Sequence, residues 1–231
     1  MHAVNFVRRF RPRWTVIENV IQMRSWSRYG ELLDLLEEVY GQDGVSVQVL
    51  DAADFGVPQT RRRLFIFCDR EAPPPRLDRQ SWNMPQTVQS ILDPPGTWPS
   101  GPLRSTRRAT GTLERAHRGI AALGEGRPFL VVYYGSDGAG GWQPLDRPLR
   151  TMTTLDRFGL VEWDAGEPTL RMLQVPELRR AMGFDDGFRL SHGTRREQIK
   201  LLGNGVCPPV MRAIVSALTG AESDRSLKLV A

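Results

Sequence analysis

Residues 45–69 read VSVQVLDAADFGVPQTRRRLFIFCD, and this stretch decides the fold class. VSVQVLDA (45–52) alternates apolar and polar residues, which predicts a strand with one apolar face, and the apolar run RLFIFCD (63–69) predicts another. Upstream, the β-branched run TVIENV (15–20) predicts a buried strand. Residues 28–40 place leucines at helical spacing, which predicts an amphipathic helix. The first part of the chain therefore reads strand, helix, strand, loop, strand, an α/β pattern.

The N-terminal 13 residues contain four arginines and no acid, with apolar residues at helical spacing. This pattern predicts the last turns of a helix that leads into the sheet. A mitochondrial presequence has a similar composition. The helix is the favoured interpretation, because the strand pattern of TVIENV follows at once without a linker.

Composition limits the possible classes of protein. The 231 residues are 40% hydrophobic, enough for a buried core, and the apolar runs fall far short of the roughly 20 residues that span a bilayer, so we expect no membrane contact. Two cysteines cannot form a disulfide scaffold or a zinc knuckle, and we expect no metal site and a reducing, cytoplasmic location. The net charge of +5 weakly favours a polyanionic partner, although codon bias also explains the excess of arginine over lysine.

The composition of the chain changes at about residue 71. Residues 71–146 are rich in Pro, Gly, Arg and Trp and show no long periodic element, with FLVVYYG (129–135) as the one clear strand. A helix is predicted at 175–183, where Pro opens and Gly closes the pattern. A Thr194–Glu197 capping box opens the next helix, and a last helix is predicted at 209–219.

Several polar residues stand out before any family is considered. Glu18 lies in an apolar strand, where a carboxylate needs a partner; a salt bridge at the strand end would explain it equally well. Strand alternation would point Gln59, Arg61 and Arg63 to one side, which suits a planar or phosphate ligand, whereas a solvated basic edge is the plainer interpretation. The glycines of GNG (203–205) permit close approach of a ligand to the backbone, but a simple interhelical turn is the more common reason.

Four separated sequence motifs follow one another along the chain: VIENV, DFGVPQTRRRLFI, RPLRTMTT and LLGNGVCPP. Over about residues 1–220 this series strongly resembles the DNA (cytosine-5) methyltransferase family. The resemblance implies an α/β fold, with an incomplete Rossmann-like methyltransferase sheet and an inserted irregular target-recognition module. It implies four parts: the C-terminal strands of the catalytic domain (1–70), the target-recognition module (71–146), a bracing segment with final helices that return to the catalytic domain (147–220), and a tail (221–231).

The resemblance also implies catalytic roles. Glu18 would hold a flipped cytosine through N3 and the exocyclic amine, and Asn19 would support the turn and contribute to substrate binding. An acid at N3 neutralises the negative charge that a nucleophile places on the ring by adding to C6. Arg63 would contact the cytosine O2, and Arg61 and Gln59 would shape the same pocket.

Cofactor and DNA contacts follow from the same resemblance. Asn204 and Val206, with Gly205 between them, match the family's late contact with S-adenosylmethionine, the methyl donor. The expected partner is double-stranded DNA, with arginines of the target-recognition module on its phosphates: Arg104, Arg107 and Arg108.

Two departures from the family pattern shape the functional prediction. The Gly-rich F-x-G-x-G loop and the Pro-Cys-Gln nucleophile loop are missing, and Cys68 and Cys207 read as small buried residues. We therefore expect a truncated or split C-terminal part of a restriction-modification methyltransferase, prokaryotic or phage-encoded. It would be inactive alone and be completed by an N-terminal segment, with TVIENV presenting an unpaired edge and the last helix packing near it. The alternative is a noncatalytic DNA-binding remnant or specificity subunit.

Overall fold

The computed structural model describes residues 2–78, 86–135 and 140–220. The chain divides into two compact units. Unit 1 comprises Met1–Phe55, Arg61–Trp82 and Pro208–Ala231, and unit 2 comprises Gly56–Thr60 and Asn83–Cys207. The domain boundaries drawn from the sequence remain predictions, and the predicted tail 221–231 lies outside the described residues.

Unit 1 is built on a three-stranded sheet of β1 (Trp14–Asn19), β2 (Val45–Asp51) and β3 (Arg62–Asp69). The strand order is β1-β3-β2, and both pairings are antiparallel. The three predicted strands are confirmed to within two residues. β3 is the central strand and is buried from its third residue onward, as its continuous apolar run predicts.

Strand β1 differs from its prediction in burial. Within the described part of the chain, β1 pairs only with β3, which confirms the predicted unpaired edge. Its residues are half-buried or exposed, so the predicted buried strand is wrong in that respect. The physical reason is position: a strand at the edge of a sheet keeps one side open to solvent.

Two helices cover one face of this sheet: α1 (His2–Phe10) and α2 (Tyr29–Tyr40). Helix α2 buries Leu32 and Leu36 against Leu64 and Ile66 of the sheet, as the leucine spacing predicts. Helix α1 confirms the predicted N-terminal helix, and its Val4 and Val7 are buried in the same core. Phe6 and Phe10 instead remain more than half exposed, with their ring centroids 4.5 Å apart.

Helix α6 (Pro208–Thr219) belongs to unit 1, the unit that contains strands β1, β2 and β3. The predicted return of the final helices to the catalytic domain stays a prediction. Its described neighbour there is the 3₁₀ turn Ala52–Phe55 that follows β2. Strand β2 forms the opposite edge of the sheet from β1. The last helix was expected to pack near TVIENV or the gap beside it, and in the structure it contacts the turn after β2 instead.

Unit 2 contains a five-stranded antiparallel sheet in the order β4-β8-β7-β5-β6. Its strands are β4 (Gly101–Pro102), β5 (Phe129–Val132), β6 (Trp142–Pro144), β7 (Phe158–Asp164) and β8 (Glu167–Met172). Helix α3 (Thr110–Leu123) packs on this sheet. The expectation of no long periodic element in residues 71–146 is therefore wrong at α3, and the predicted strand at 129–135 ends earlier.

Sequence analysis missed helix α3, although Leu113, Ile120 and Leu123 recur at helical spacing and pack on the same core. The fully buried residues of the helix, Ala116 and Gly119, are small. A Cβ atom on Gly119 would lie 2.3 Å from Cε2 of Phe129, so the helix lies against that ring only because residue 119 is glycine.

The later helices of unit 2 are α4 (Val175–Ala181) and α5 (Arg195–Asn204), both at predicted positions. The predicted capping box is confirmed: Glu197 N–H donates to Thr194 Oγ1, and Thr194 N–H donates to Glu197 Oε2 at 2.7 Å. Residues Arg195–Thr219 together are long and apolar enough to cross a membrane. This is only weak evidence for a membrane span, because it rests on length and composition alone. This stretch is not one continuous helix, because residues 205–207 are non-helical and separate α5 from α6.

Candidate functional site

Glu18 and Arg63 are brought together in unit 1. Glu18 is opposite Phe65 in the β1–β3 register, and Arg63 precedes Phe65 by two residues, so both side chains project from the same face of the sheet. Arg63 Nε lies 3.2 Å from Glu18 Oε1, and the side chains are 17% and 22% exposed respectively. The half-buried carboxylate thus has the partner it was expected to need.

The arginine cluster divides as strand alternation predicts. Arg62 is exposed, whereas Arg61 is buried with 4% exposure, and Arg63 is half-buried beside Glu18. Arg63 also donates from Nη1 to the carbonyl oxygen of Arg62 at 2.9 Å, which restrains its guanidinium. The structure therefore contradicts the alternative interpretation of a basic edge with all three arginines exposed to solvent.

Asp51 anchors the start of this cluster, and sequence analysis missed it. Its Oδ1 accepts hydrogen bonds from the backbone N–H groups of Arg61, at 2.8 Å, and Ala53, at 3.2 Å. The Arg61 carbonyl oxygen in turn accepts a bond from the Ala52 N–H at 3.1 Å. An aspartate at a strand end, followed by a turn, was the available signal, because Asp side chains often bond to backbone N–H groups a residue or two further on.

Gln59 lies in unit 2 and is completely buried. Its Nε2 donates to the Ala181 carbonyl oxygen at 3.1 Å, and its Oε1 accepts from the Met152 N–H at 3.0 Å. Both ends of the amide are thus engaged with the protein backbone of unit 2. Its predicted contact with substrate stays a prediction.

The segment RPLRTMTT (147–154) holds the chain around Gln59. Backbone bonds join Leu149 N–H to the Pro58 carbonyl and Thr60 N–H to the Leu149 carbonyl, and Thr151 Oγ1 donates to the Thr60 carbonyl at 2.7 Å. All of these residues belong to unit 2. Within unit 2, this segment therefore fixes the residues that immediately precede Arg61 in the chain.

Asn19 ends strand β1 and is exposed. Its Oδ1 accepts a hydrogen bond from the Val20 N–H at 2.8 Å, so the side chain supports the turn as expected. Its predicted role toward substrate stays a prediction.

The predicted cofactor residues lie at the end of α5. Asn204 is exposed, and Gly205 has extended backbone angles that end the helix. The tightest packing is at Gly203, where a Cβ atom would lie 2.4 Å from the carbonyl oxygen of Thr153. The first glycine of GNG is therefore required for packing, while Asn204 is exposed and Val206 is half-buried.

Both cysteines are buried, and neither forms a disulfide. Burial raises the pKa of the Cys68 thiol to about 12, so it is protonated at neutral pH and a poor nucleophile. The interpretation of the two cysteines as small buried residues agrees with this burial.

The three arginines predicted to contact phosphate have different environments in unit 2. Arg104 pairs with Glu125 at 3.0 Å, whereas Arg108 donates to backbone carbonyl oxygens. Arg107 is exposed, and its backbone N–H is 3.3 Å from Ser105 Oγ. Charge alone did not distinguish these roles in the sequence.

The sequence matches the C-5 cytosine-specific DNA methylase family over residues 1–220, and the chain belongs to that family. Among curated relatives, the type II methyltransferase M.BsuRI of Bacillus subtilis is 25% identical over 246 residues, covering 94% of this chain and 52% of the relative. M.NlaX of Neisseria lactamica is 25% identical, covering 94% of this chain and 67% of the relative. M.AgeI of Thalassovita gelatinovora is 45% identical, but over 64 residues that make up 15% of its length.

Solved structures confirm the fold. DNMT2 of Spodoptera frugiperda superposes with a TM-score of 0.62 at 14% identity, covering 94% of this chain and 70% of that structure. The Entamoeba histolytica methyltransferase EhMeth gives a TM-score of 0.57 at 15% identity, over 90% of this chain and 63% of that structure. The predicted α/β, Rossmann-like methyltransferase class is therefore confirmed, while the chain spans about half to two thirds of the length of M.BsuRI and M.NlaX.

Proposed function

We propose that this chain supplies the target-base acid and the DNA-recognition part of an enzyme that transfers a methyl group to cytosine C5 in DNA. The observation that carries the proposal is the Glu18–Arg63 pair at 3.2 Å on one face of the sheet. A carboxyl group and a guanidinium held side by side match N3 and O2, two neighbouring polar positions on the Watson–Crick edge of cytosine. The acid would serve N3 and the arginine would serve O2.

The chemistry gives each group a defined task. When a nucleophile adds to cytosine C6, negative charge develops on the ring and at O2. Protonated Glu18 supplies a proton at N3, and the Arg63 guanidinium, which cannot lose its charge, stabilises the charge at O2. Both groups act on ring atoms that are paired and stacked in a duplex, so the target cytosine must be flipped out of the helix.

The nucleophile has to come from residues outside these 231. The sequence contains no Pro-Cys string, Cys68 is buried with a raised pKa, and Cys207 is buried as well. We infer that a complementary segment carrying the Pro-Cys-Gln loop and the Gly-rich loop completes the site, and that the chain alone is inactive. The unpaired edge of β1 offers such a segment a place to add a strand.

S-adenosylmethionine is the methyl donor that the family implies. When bound, it supplies an electrophilic methyl group to the cytosine C5 carbon. The part of its site that we propose in this chain is Asn204, Gly205 and Val206, where the exposed carboxamide of Asn204 offers hydrogen-bonding groups. These residues fit one side of a polar ligand. Because the curated relatives are type II methyltransferases of bacteria, whose DNA lies in the cytoplasm, we propose a cytoplasmic location for this protein.

A noncatalytic specificity subunit is the second candidate function. The observation that favours it is the five-stranded antiparallel sheet of unit 2, which has its own hydrophobic core and carries arginines at its surface. Such a unit needs no nucleophile to bind DNA. In that case the Glu18–Arg63 pair would be a structural ion pair only.

One reconstitution experiment separates the two functions. The chain is incubated with labelled S-adenosylmethionine and mixed-sequence duplex DNA, with and without a segment that carries the two missing loops. We expect label in cytosine only when both are present, and a loss of about 10²- to 10⁴-fold with Glu18→Gln, which keeps the shape of the side chain but cannot donate the proton. Glu38→Gln, an exposed glutamate of α2, is the matched control.

The outcomes are distinct. Label incorporated by the chain alone would show that the nucleophile is not missing. Full activity of the reconstituted Glu18→Gln protein would remove Glu18 as the acid. DNA binding without any transfer in the mixture would support the specificity subunit.

A further inference from the structure

A basic pocket of about 420 Å³ opens on unit 2, beside the start of helix α3. Its polar lining consists of two arginines and three hydroxyl residues: Ser105, Arg107, Arg108, Thr112 and Tyr133. The remaining lining residues are Pro102 and Ala109, so among the residues that the structure describes no carboxylate lines the pocket. The pocket therefore combines positive charge with hydrogen-bond donors.

Arg108 forms a fixed part of this pocket. Its Nε donates to the Pro102 carbonyl oxygen at 3.0 Å, and its Nη2 lies 3.2 Å from the carbonyl oxygens of Gly101 and Leu170. These acceptors are neutral, so the guanidinium keeps its full positive charge while its position is set by strands β4 and β8. Because the Arg108 side chain is already ordered in the free protein, binding a ligand costs little of its conformational entropy.

Arg107 is the adaptable part. It is exposed, and within the described ranges of the chain its guanidinium forms no ion pair or hydrogen bond. Arg104, three residues earlier, is by contrast paired with Glu125 at 3.0 Å. Of these three arginines, Arg107 thus combines an uncompensated charge with five available donors.

Tyr133 is held over the sheet by a glycine. A Cβ atom on Gly159 would lie 3.3 Å from Cε2 and 3.4 Å from the hydroxyl oxygen of Tyr133, so the ring lies directly on the backbone of β7. The Tyr133 backbone is bonded on both sides to Arg157, by N–H to carbonyl at 2.9 Å and by guanidinium to carbonyl at 3.0 Å. The phenol is therefore positioned as part of the pocket wall.

We propose that this pocket binds a backbone phosphate of duplex DNA, with Arg107 as the mobile cation, Arg108 as the fixed one, and the Thr112 and Tyr133 hydroxyls as additional donors. Phosphate oxygens only accept hydrogen bonds, and every polar side chain in the lining can donate. A nucleobase edge presents donors too, and a pocket without carboxylates has few groups to accept them. The inference rests on the proposed DNA-binding function and assigns it a phosphate site.

Fluorescence anisotropy of a labelled mixed-sequence duplex, titrated with this chain over a range of NaCl concentrations, tests the site. Arg107→Ala should lower the slope of log affinity against log salt by roughly 0.9, the value for one lost phosphate contact. Thr112→Val and Tyr133→Phe should each weaken binding by about 3- to 10-fold with the slope unchanged, since each removes a neutral donor.

Arg127→Ala is the matched control, because Arg127 is equally exposed but follows the other end of α3, about 20 Å along a 14-residue helix. A wild-type chain that binds DNA, together with equal slopes for Arg107→Ala and Arg127→Ala, would overturn the pocket while leaving the proposed function intact. A wild-type chain that binds no duplex DNA at all would overturn both. Circular dichroism melting of each variant shows that the comparison is made between folded proteins.

Discussion

Arg63 Nε lies 3.2 Å from Glu18 Oε1, across the boundary between an edge strand and the central strand of the unit 1 sheet. The two residues are 45 positions apart in sequence, and the β1–β3 register brings them to one face. The pair is mostly shielded from solvent, which distinguishes it from the ion pairs at the surface of α2.

The Glu18–Arg63 pair should show measurable energetic coupling in the isolated chain. We expect about 1 kcal/mol from a double-mutant cycle of Glu18→Gln and Arg63→Ala in urea unfolding, at the upper end for accessible ion pairs, because both side chains are mostly shielded. The control cycle on Arg28 and Glu31, which are 51% and 49% exposed, should give about 0.3 kcal/mol. Equal couplings in the two cycles would contradict this distinction.

The stability of the folded chain should decrease as the pH rises from about 9 to about 12, because the buried Cys68 thiol has a raised pKa. Burial raises the pKa of this thiol from 9.0 to about 12, so the unfolded state loses its proton first as the pH rises. The contribution of the Cys68 thiol to the free energy of unfolding is fully present below pH 9. It is lost between pH 9 and pH 12, at up to about 1.4 kcal/mol per pH unit. Urea unfolding at pH 8, 9 and 10 measures the slope, and Cys68→Ala should flatten it. Parallel pH profiles for the two proteins would show that Cys68 is not the group responsible.

The buried ion pair between Arg171 and Glu177 should be sensitive to the loss of either partner. Glu177 is fully buried and receives two 2.8 Å bonds from the Arg171 guanidinium, together with backbone N–H bonds from Gln174 and Asp93. Arg171→Leu should destabilise unit 2 by about 3–5 kcal/mol, because it leaves the Glu177 carboxylate buried without its counter-ion. The double variant Arg171→Leu with Glu177→Leu should recover part of this loss in chemical unfolding. A single variant as stable as the wild type would contradict the assignment.

Gly203 should tolerate no side chain. A Cβ atom there would lie 2.4 Å from the Thr153 carbonyl oxygen and 2.7 Å from its carbon, and backbone atoms cannot move aside easily. We expect Gly203→Ala to lower the melting temperature by several degrees, as for a loss of about 1–3 kcal/mol by overpacking. Gly30→Ala is the control: this helical glycine of α2 has no atom within 4 Å of its Cβ position, so alanine should be neutral or stabilising. Similar melting temperatures for the two variants would count against the close contact.

The sequence by itself determined the parts that depend on local pattern. Alternation and apolar runs located β1, β2 and β3, leucine spacing located α2, and the Thr194–Glu197 spacing located the start of α5. Alternation also separated Arg62 from Arg63. These features follow from the fixed periods of strands and helices, which are properties of neighbouring residues in the chain.

Only the tertiary structure decided the features that depend on distant residues. How closely helix α3 packs on its sheet is set by the contact of Gly119 with the Phe129 ring, which no periodic pattern predicts. Asp51 became visible as an anchor only when β2 and β3 were side by side, and Arg107 differed from Arg108 only when β8 supplied a carbonyl acceptor. A hydrogen-bond partner far away in sequence leaves no periodic signal, so whether a charged side chain is engaged in the fold or available to a ligand is decided by packing.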